Sequence, residues 1–195
     1  MLKKWISLFL VIAMFVPAFA FAGSATFTSE TDPYYAYTYP EGWTVLTKST
    51  MDALLELGAA QNEIAGGFLE LIKQMGLTGF MSPDNTEFIM VMTQEMGMDI
   101  PADLLVSMLG PTLASQAGSM IPGGKLTNEG EILRCGENDF VKIALSANAE
   151  GVPINMGIYV VSQNNALFVM YLVATGGSGD MSAFEESLAS FTTQK

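Results

Sequence analysis

The chain contains no histidine, and its only cysteine is Cys135. Without histidine the commonest general base and metal ligand is missing, and so is every Ser-His or Cys-His triad. A lone cysteine forms no intrachain disulfide, so the fold must stand on its core. Basic residues are scarce as well: 8 Lys and Arg face 20 Asp and Glu, a net charge of −12. A surface this acidic repels phosphate backbones and anionic lipid, which excludes nucleic-acid binding as a function class. Known ligand-holding patterns are also missing. Pro122-Gly123-Gly124-Lys125 lacks the spacing and the following hydroxyl of a phosphate loop, and Gly176 to Gly179 contains no lysine. No acidic loop has the calcium-hand pattern.

One apolar run stands out at the N-terminus. Lys3 and Lys4 form a short positive region, and Trp5 to Val16 carries no charge. Pro17 breaks the run, and Ala20 and Ala22 then occupy the −3 and −1 sites of a signal peptidase substrate. This predicts a cleaved export signal over residues 1–22 and an extracytoplasmic, cell-envelope or secreted product. The alternatives are an uncleaved anchor, for which the run is short, and a lipoprotein, which needs a cysteine at the end of the apolar run. No later stretch is apolar for long enough to span a bilayer, so no stable membrane span is expected after cleavage. Loss of Lys3 and Lys4 would take the net charge from −12 to −14. Residues 23–195 have the length of one domain, and half of the full chain is hydrophobic, which excludes disorder.

Residues 23–33 are small and polar and are expected to be a flexible lead-in, followed by a single domain over 34–195. Tyr34 to Tyr39 reads as a strand with alternate aromatics, Pro40-Glu41-Gly42 as a turn, and Trp43 to Leu46 as a second strand with Trp43 and Val45 on one face. A helix is predicted from Ser49, with Asp52 completing a variant capping box and Met51, Leu54, Leu55 and Leu57 at helical spacing. Ile64, Phe68, Leu71, Ile72 and Met75 form the stripe of a second helix that Gly76 would end. Strands follow at Phe80-Met81 and Phe88 to Thr93, around a Ser82-Pro83-Asp84-Asn85 turn. Asp99 is expected to cap a third helix through Leu104, Leu105, Met108 and Leu109, kinked or split at Pro111 and reaching Met120.

The rest reads as a meander. Lys125 to Arg134, Phe140 to Asn148, Pro153 to Ser162 and Ala166 to Ala174 are predicted strands. Asn164-Asn165 is a tight hairpin turn, because asparagine tolerates positive φ. The last strand is apolar on both faces, hence central. Ser182 with Glu185 predicts a capping box and a final helix to about Ser190. Strands, helices, strands and a helix together predict an α+β fold, an antiparallel β-sheet covered by helices.

Tyr37-Thr38-Tyr39-Pro40-Glu41-Gly42-Trp43-Thr44-Val45 resembles the opening of PsbP-like and DcrB-like α/β/α sandwich proteins, in which an aromatic strand, Pro-x-Gly-Trp and a short apolar strand form the first hairpin. The end of the chain is similar too: a hairpin through Asn164-Asn165, an apolar strand, and a helix closing on Leu188-Ala189-Ser190-Phe191. The resemblance covers both ends and the strand order but not residues 50–120, a Met-rich helical insertion. It implies the PsbP-like fold and an envelope or accessory role. It brings no shared catalytic residues, and no cofactor is implied.

Candidate chemistry is sparse. Cys135 is flanked by Arg134, which in a strand faces the other way, so a buried structural thiol is expected. Glu185 and Glu186 adjoin on the last helix and point apart. The unusual feature is Met90, Met92, Met96 and Met98 within one short segment. Thioether clusters suit soft Cu(I), whereas Met90 and Met92 also read as core residues on one strand face. Met51, Met75, Met81, Met108 and Met120 recur at positions expected to be apolar. The expectation is a non-catalytic, exported binding or accessory protein for another protein or a small apolar ligand. A Met-based Cu(I) protein and an enzyme of unrecognised type are the alternatives.

Overall fold

The computed structural model of the protein describes residues 25–29, 33–46, 76–120, 124–149, 151–176 and 181–193. The export signal expected over 1–22 and the two helices expected over 49–75 lie outside these residues. The described elements are ten strands and two helices: β1 Thr26–Thr28, β2 Tyr35–Thr38, β3 Thr44–Leu46, β4 Gly76–Met81, β5 Glu87–Glu95, α1 Ala102–Met120, β6 Lys125–Cys135, β7 Asn138–Ala149, β8 Val152–Gln163, β9 Ala166–Thr175, α2 Ser182–Leu188 and β10 Thr192–Thr193.

Seven strands form one antiparallel sheet in the order β3-β4-β5-β9-β8-β7-β6, and β1-β2-β10 form a second, small one. The expected antiparallel sheet covered by helices is present. Strand β9, apolar on both faces, lies fourth of seven, the centre its composition predicts. Asn164 and Asn165 take φ of 55° and 62° and pair Gln163 with Ala166, a tight turn matched to the strand twist. In β7, Val141, Ile143 and Leu145 alternate into the core beneath α1.

Several local expectations are corrected. The aromatic strand and the Trp43 strand are not a hairpin: β2 lies in the small sheet and β3 in the large one. The turn that hands the chain across has Gly42 at φ 80° and Trp43 N–H bonded to the Pro40 carbonyl at 3.2 Å. The lead-in over 23–33 is partly ordered, because β1 pairs with β2 through Thr26↔Thr38 and Thr28↔Ala36. Gly76 opens β4 and pairs with Thr93 of β5.

Helix α1 runs through Pro111 as one helix. Both Ser107 and Pro111 are exposed, so the Ser107 carbonyl that loses its N–H partner faces water. Asp99 does not cap α1; its Oδ1 accepts the Asn165 N–H at 2.6 Å and ties the helix entry to the β8–β9 turn. Likewise Glu185 does not close a capping box with Ser182, because its carboxylate turns onto the sheet.

The large sheet has a different core on each face. One face meets α2 and the small sheet through Tyr35, Tyr37, Phe80, Phe140, Phe168, Phe184 and Phe191. Phe191 stacks on Tyr35 and meets Phe140 and Phe168 edge-on, with centroids 5.2 to 5.8 Å apart. The other face meets α1 through Leu105 on Val141, Ile143, Leu145, Ile158 and Val160. There Gly110 brings α1 so close to β6 that an added Cβ would lie 2.8 Å from the Glu129 carbonyl oxygen.

Candidate functional site

Strand pairing builds one row across the aromatic face: Val91, Met170, Tyr159, Lys142 and Glu131, each opposite the next. The row is apolar in the middle and ionic toward the β6 edge. Glu185 reaches down from α2 to complete it. Its Oε1 accepts the Tyr159 hydroxyl at 2.8 Å and lies 2.8 Å from Lys142 Nζ. Lys142 also approaches Glu131 Oε1 at 3.4 Å, and the Tyr159 hydroxyl lies 3.4 Å from Met181 Sδ. Gly157 makes room for this arrangement, since a Cβ there would lie 2.6 Å from the Tyr159 ring.

The electrostatics follow from the contacts. Burial pushes the Tyr159 phenol up, and donation to the charged Glu185 pushes it further. Burial alone would lower the Lys142 ammonium, but Glu185 and Glu131 outweigh it, and the net direction is up. Burial raises the Cys135 thiol, Glu185 adds to this, and Lys142 opposes it. Cys135 is buried, and Arg134 beside it turns outward to Asp139 at 2.8 Å. Acid, amine and phenol here satisfy one another, and the cluster pins α2 to the sheet. Glu186, the next residue, is exposed.

The Met run divides between two environments. Met90 and Met92 are half-buried on the α1-side face of β5, opposite Tyr171 and Val169. Met96 and Met98 lie past the strand end and are 39% and 63% exposed. Of the other methionines, Met81 is buried as expected, whereas Met108 is 54% exposed on α1, contrary to its reading as a core position. Met51 and Met75 fall outside the described residues.

A feature that sequence reasoning missed lies where α1 begins. An open groove of about 490 Å³ is bounded by the α1 entry, the β6–β7 hairpin and the end of β8; its lining includes Asp99, Asp103, Ile132, Glu137, Asp139 and Gln163. As sequence, these residues read as a cap, a helix turn and a hairpin turn. Only the sheet order brings them together. Among the described residues no group of three or more Cys, Asp or Glu side chains is placed to hold a metal ion, and no helix is long and apolar enough to cross a membrane.

No protein-family model matches the chain, and none of the curated proteins is similar to it. Solved structures are. The cyanobacterial PsbP, CyanoP, of Synechocystis sp. PCC 6803 is 15% identical, with a TM-score of 0.56 over 92% of this chain and 97% of its own. LpqN of Mycobacterium tuberculosis, described as involved in cell envelope biogenesis, is 13% identical, with a TM-score of 0.52 over 90% of this chain and 92% of its own. A chain from Bacteroides thetaiotaomicron VPI-5482 is 15% identical, with a TM-score of 0.49 over 89% of this chain; the present chain spans about half of its length (49%). The fold is PsbP-like, as the resemblance implied.

Proposed function

We propose that this chain is an exported, non-catalytic accessory protein that acts by binding, in the cell envelope or outside the cell. The observation that carries this reading is a contrast. The Lys142, Tyr159 and Glu185 side chains are consumed in mutual contacts, while the groove at the α1 entry is open and large enough for a ligand. The fold shared with LpqN, which is described as involved in cell envelope biogenesis, supports an envelope setting, as does the signal expected at 1–22. Residues 34–195 act as the single working domain, with β1 as its added strand. The test is fractionation of native cells expressing a C-terminally tagged chain, followed by pull-down from envelope and medium. The expected result is a processed chain outside the cytoplasm that retains a specific partner. A full-length chain confined to the cytoplasm overturns the reading.

A second reading rests on the exposure of Met96 and Met98. An extended strand sets Met90 roughly 20 Å from Met96 along its axis, so a thioether site for Cu(I) would use Met96 and Met98 rather than Met90. Titration with Cu(I) against a chromogenic chelator checks this. Uptake abolished by Met96→Ala with Met98→Ala supports the reading, and no uptake ends it.

A further inference from the structure

The groove at the α1 entry has a consistent chemical character. Its floor is apolar: Ile100, Leu105 and Val161 lie there beside Ile132, which the β6 edge leaves 51% exposed. Every charged residue of its lining is acidic. Two of the four acids are engaged, Asp99 by the Asn165 N–H and Asp139 by Arg134. Asp103 and Glu137 are exposed and have no ion-pair partner among the described residues. The groove therefore offers carboxylates around an apolar floor, and its lining holds no cation.

We propose that this groove binds a basic peptide segment of a partner protein, in which an arginine or lysine alternates with apolar residues. The inference deepens the accessory-binding reading and rests on it. An arginine head carries several N–H donors and no acceptor, the complement of the Asp103 and Glu137 carboxylates. Its aliphatic stem covers Ile132 while the head stays with the carboxylates. A wholly apolar ligand would strip water from Asp103 and Glu137 and give nothing back. An anionic ligand meets four carboxylates and no free base.

The test uses the mature chain, residues 23–195, and a fluorescein-labelled hexapeptide of alternating arginine and leucine, read by anisotropy. A glutamate–leucine hexapeptide is the control and spermine the competitor. The arginine peptide binds, the control does not, and affinity falls as salt rises. Asp103→Asn with Glu137→Gln weakens binding about tenfold by removing two charge-assisted contacts. Ile132→Ser weakens it without altering the salt dependence. These side chains are exposed, so melting of the variants stays near that of the parent chain, which separates lost binding from lost folding. Parent-like binding by the double variant overturns the proposal. So does displacement by spermine at the affinity of the peptide, which would mean a simple polycation site. If the double variant still captures the partner retained in the pull-down, the groove assignment fails while the accessory reading stands.

Discussion

The two faces of the large sheet are sealed by different chemistry. The face under α2 and the small sheet is a ring-to-ring aromatic core with polar handles: Tyr37 meets Ser187 at 2.7 Å, Asn138 donates to the Phe191 carbonyl at 2.8 Å, and Tyr159 meets Glu185 at 2.8 Å. The face under α1 is aliphatic, closed by Leu105 on the valines and isoleucines of β7 and β8. The aromatic face binds the two ends of the chain to its middle, since β2, α2 and Phe191 all converge there. The aliphatic face carries a helix whose outer side shows Leu104 and Met108 and whose entry forms the groove. Directional contacts lock one side of the sheet, and non-directional burial leaves the other free to present a surface.

Substitutions break this comparison in graded ways. The largest effect is expected at Phe191, which is buried against three rings: Phe191→Ala should cost about 3 to 5 kcal/mol in urea unfolding, because the neighbouring rings cannot collapse into the space. An intact midpoint would mean that the aromatic face does not hold the chain ends.

Next comes Gly157→Ala. Its Cβ would meet the Tyr159 ring at 2.6 Å and Met181 Sδ at 3.0 Å, and overpacking of this kind costs about 1 to 3 kcal/mol. Thermal melting, with loss of the Tyr159 contribution to near-ultraviolet dichroism, reads it.

Tyr159→Phe removes one hydrogen bond to a carboxylate and should cost about 1.5 to 3 kcal/mol at neutral pH. Its pH dependence has a definite sign. Tyr159 and Lys142 both have raised pKa values in the fold, so their contribution is complete below the unfolded values, about 10 for both, and is lost as pH rises above them. The parent chain should therefore lose stability above about pH 10, and the gap between it and Tyr159→Phe should shrink there. A gap that widens with pH would contradict the arrangement.

The smallest effect is expected on α1. Leu104→Ser with Met108→Ser changes side chains that are 47% and 54% exposed, and stability should move by no more than about 0.5 kcal/mol per site. A large loss would show that the outer side of α1 is covered within the folded chain.

The sequence was most readable where a local rule had no competitor. Asn164-Asn165 takes positive φ wherever its flanking strands pair, so the hairpin followed from two residues. The alternation of β7 and the two-sided apolarity of β9 translated directly into one-sided and central burial. It failed where a polar side chain had two available partners. Asp99 and Glu185 stand where caps belong, yet Asn165, Tyr159 and Lys142 outbid the helix N–H groups because the sheet places them within reach. It failed again at Met108, which shares the outer side of α1 with Leu104 while Leu105 and Leu109 take the side that meets the sheet. The groove was not legible at all, since nothing in Asp103 or Glu137 marks them as neighbours.

Composition and periodicity alone determined the exclusions and the materials: no histidine chemistry, no intrachain disulfide, an acidic composition, and an antiparallel sheet with β9 at its centre. These depend on residue type and on spacing along one strand or turn, which the chain carries locally. The tertiary structure alone decided that β2 and β3 part into two sheets, that Glu185 anchors α2 to Lys142 and Tyr159, and that acids from the α1 entry and the β6–β7 hairpin share a groove. Each of these is a choice among partners far apart in the chain, and only the packed sheet fixes which of them lie within contact distance.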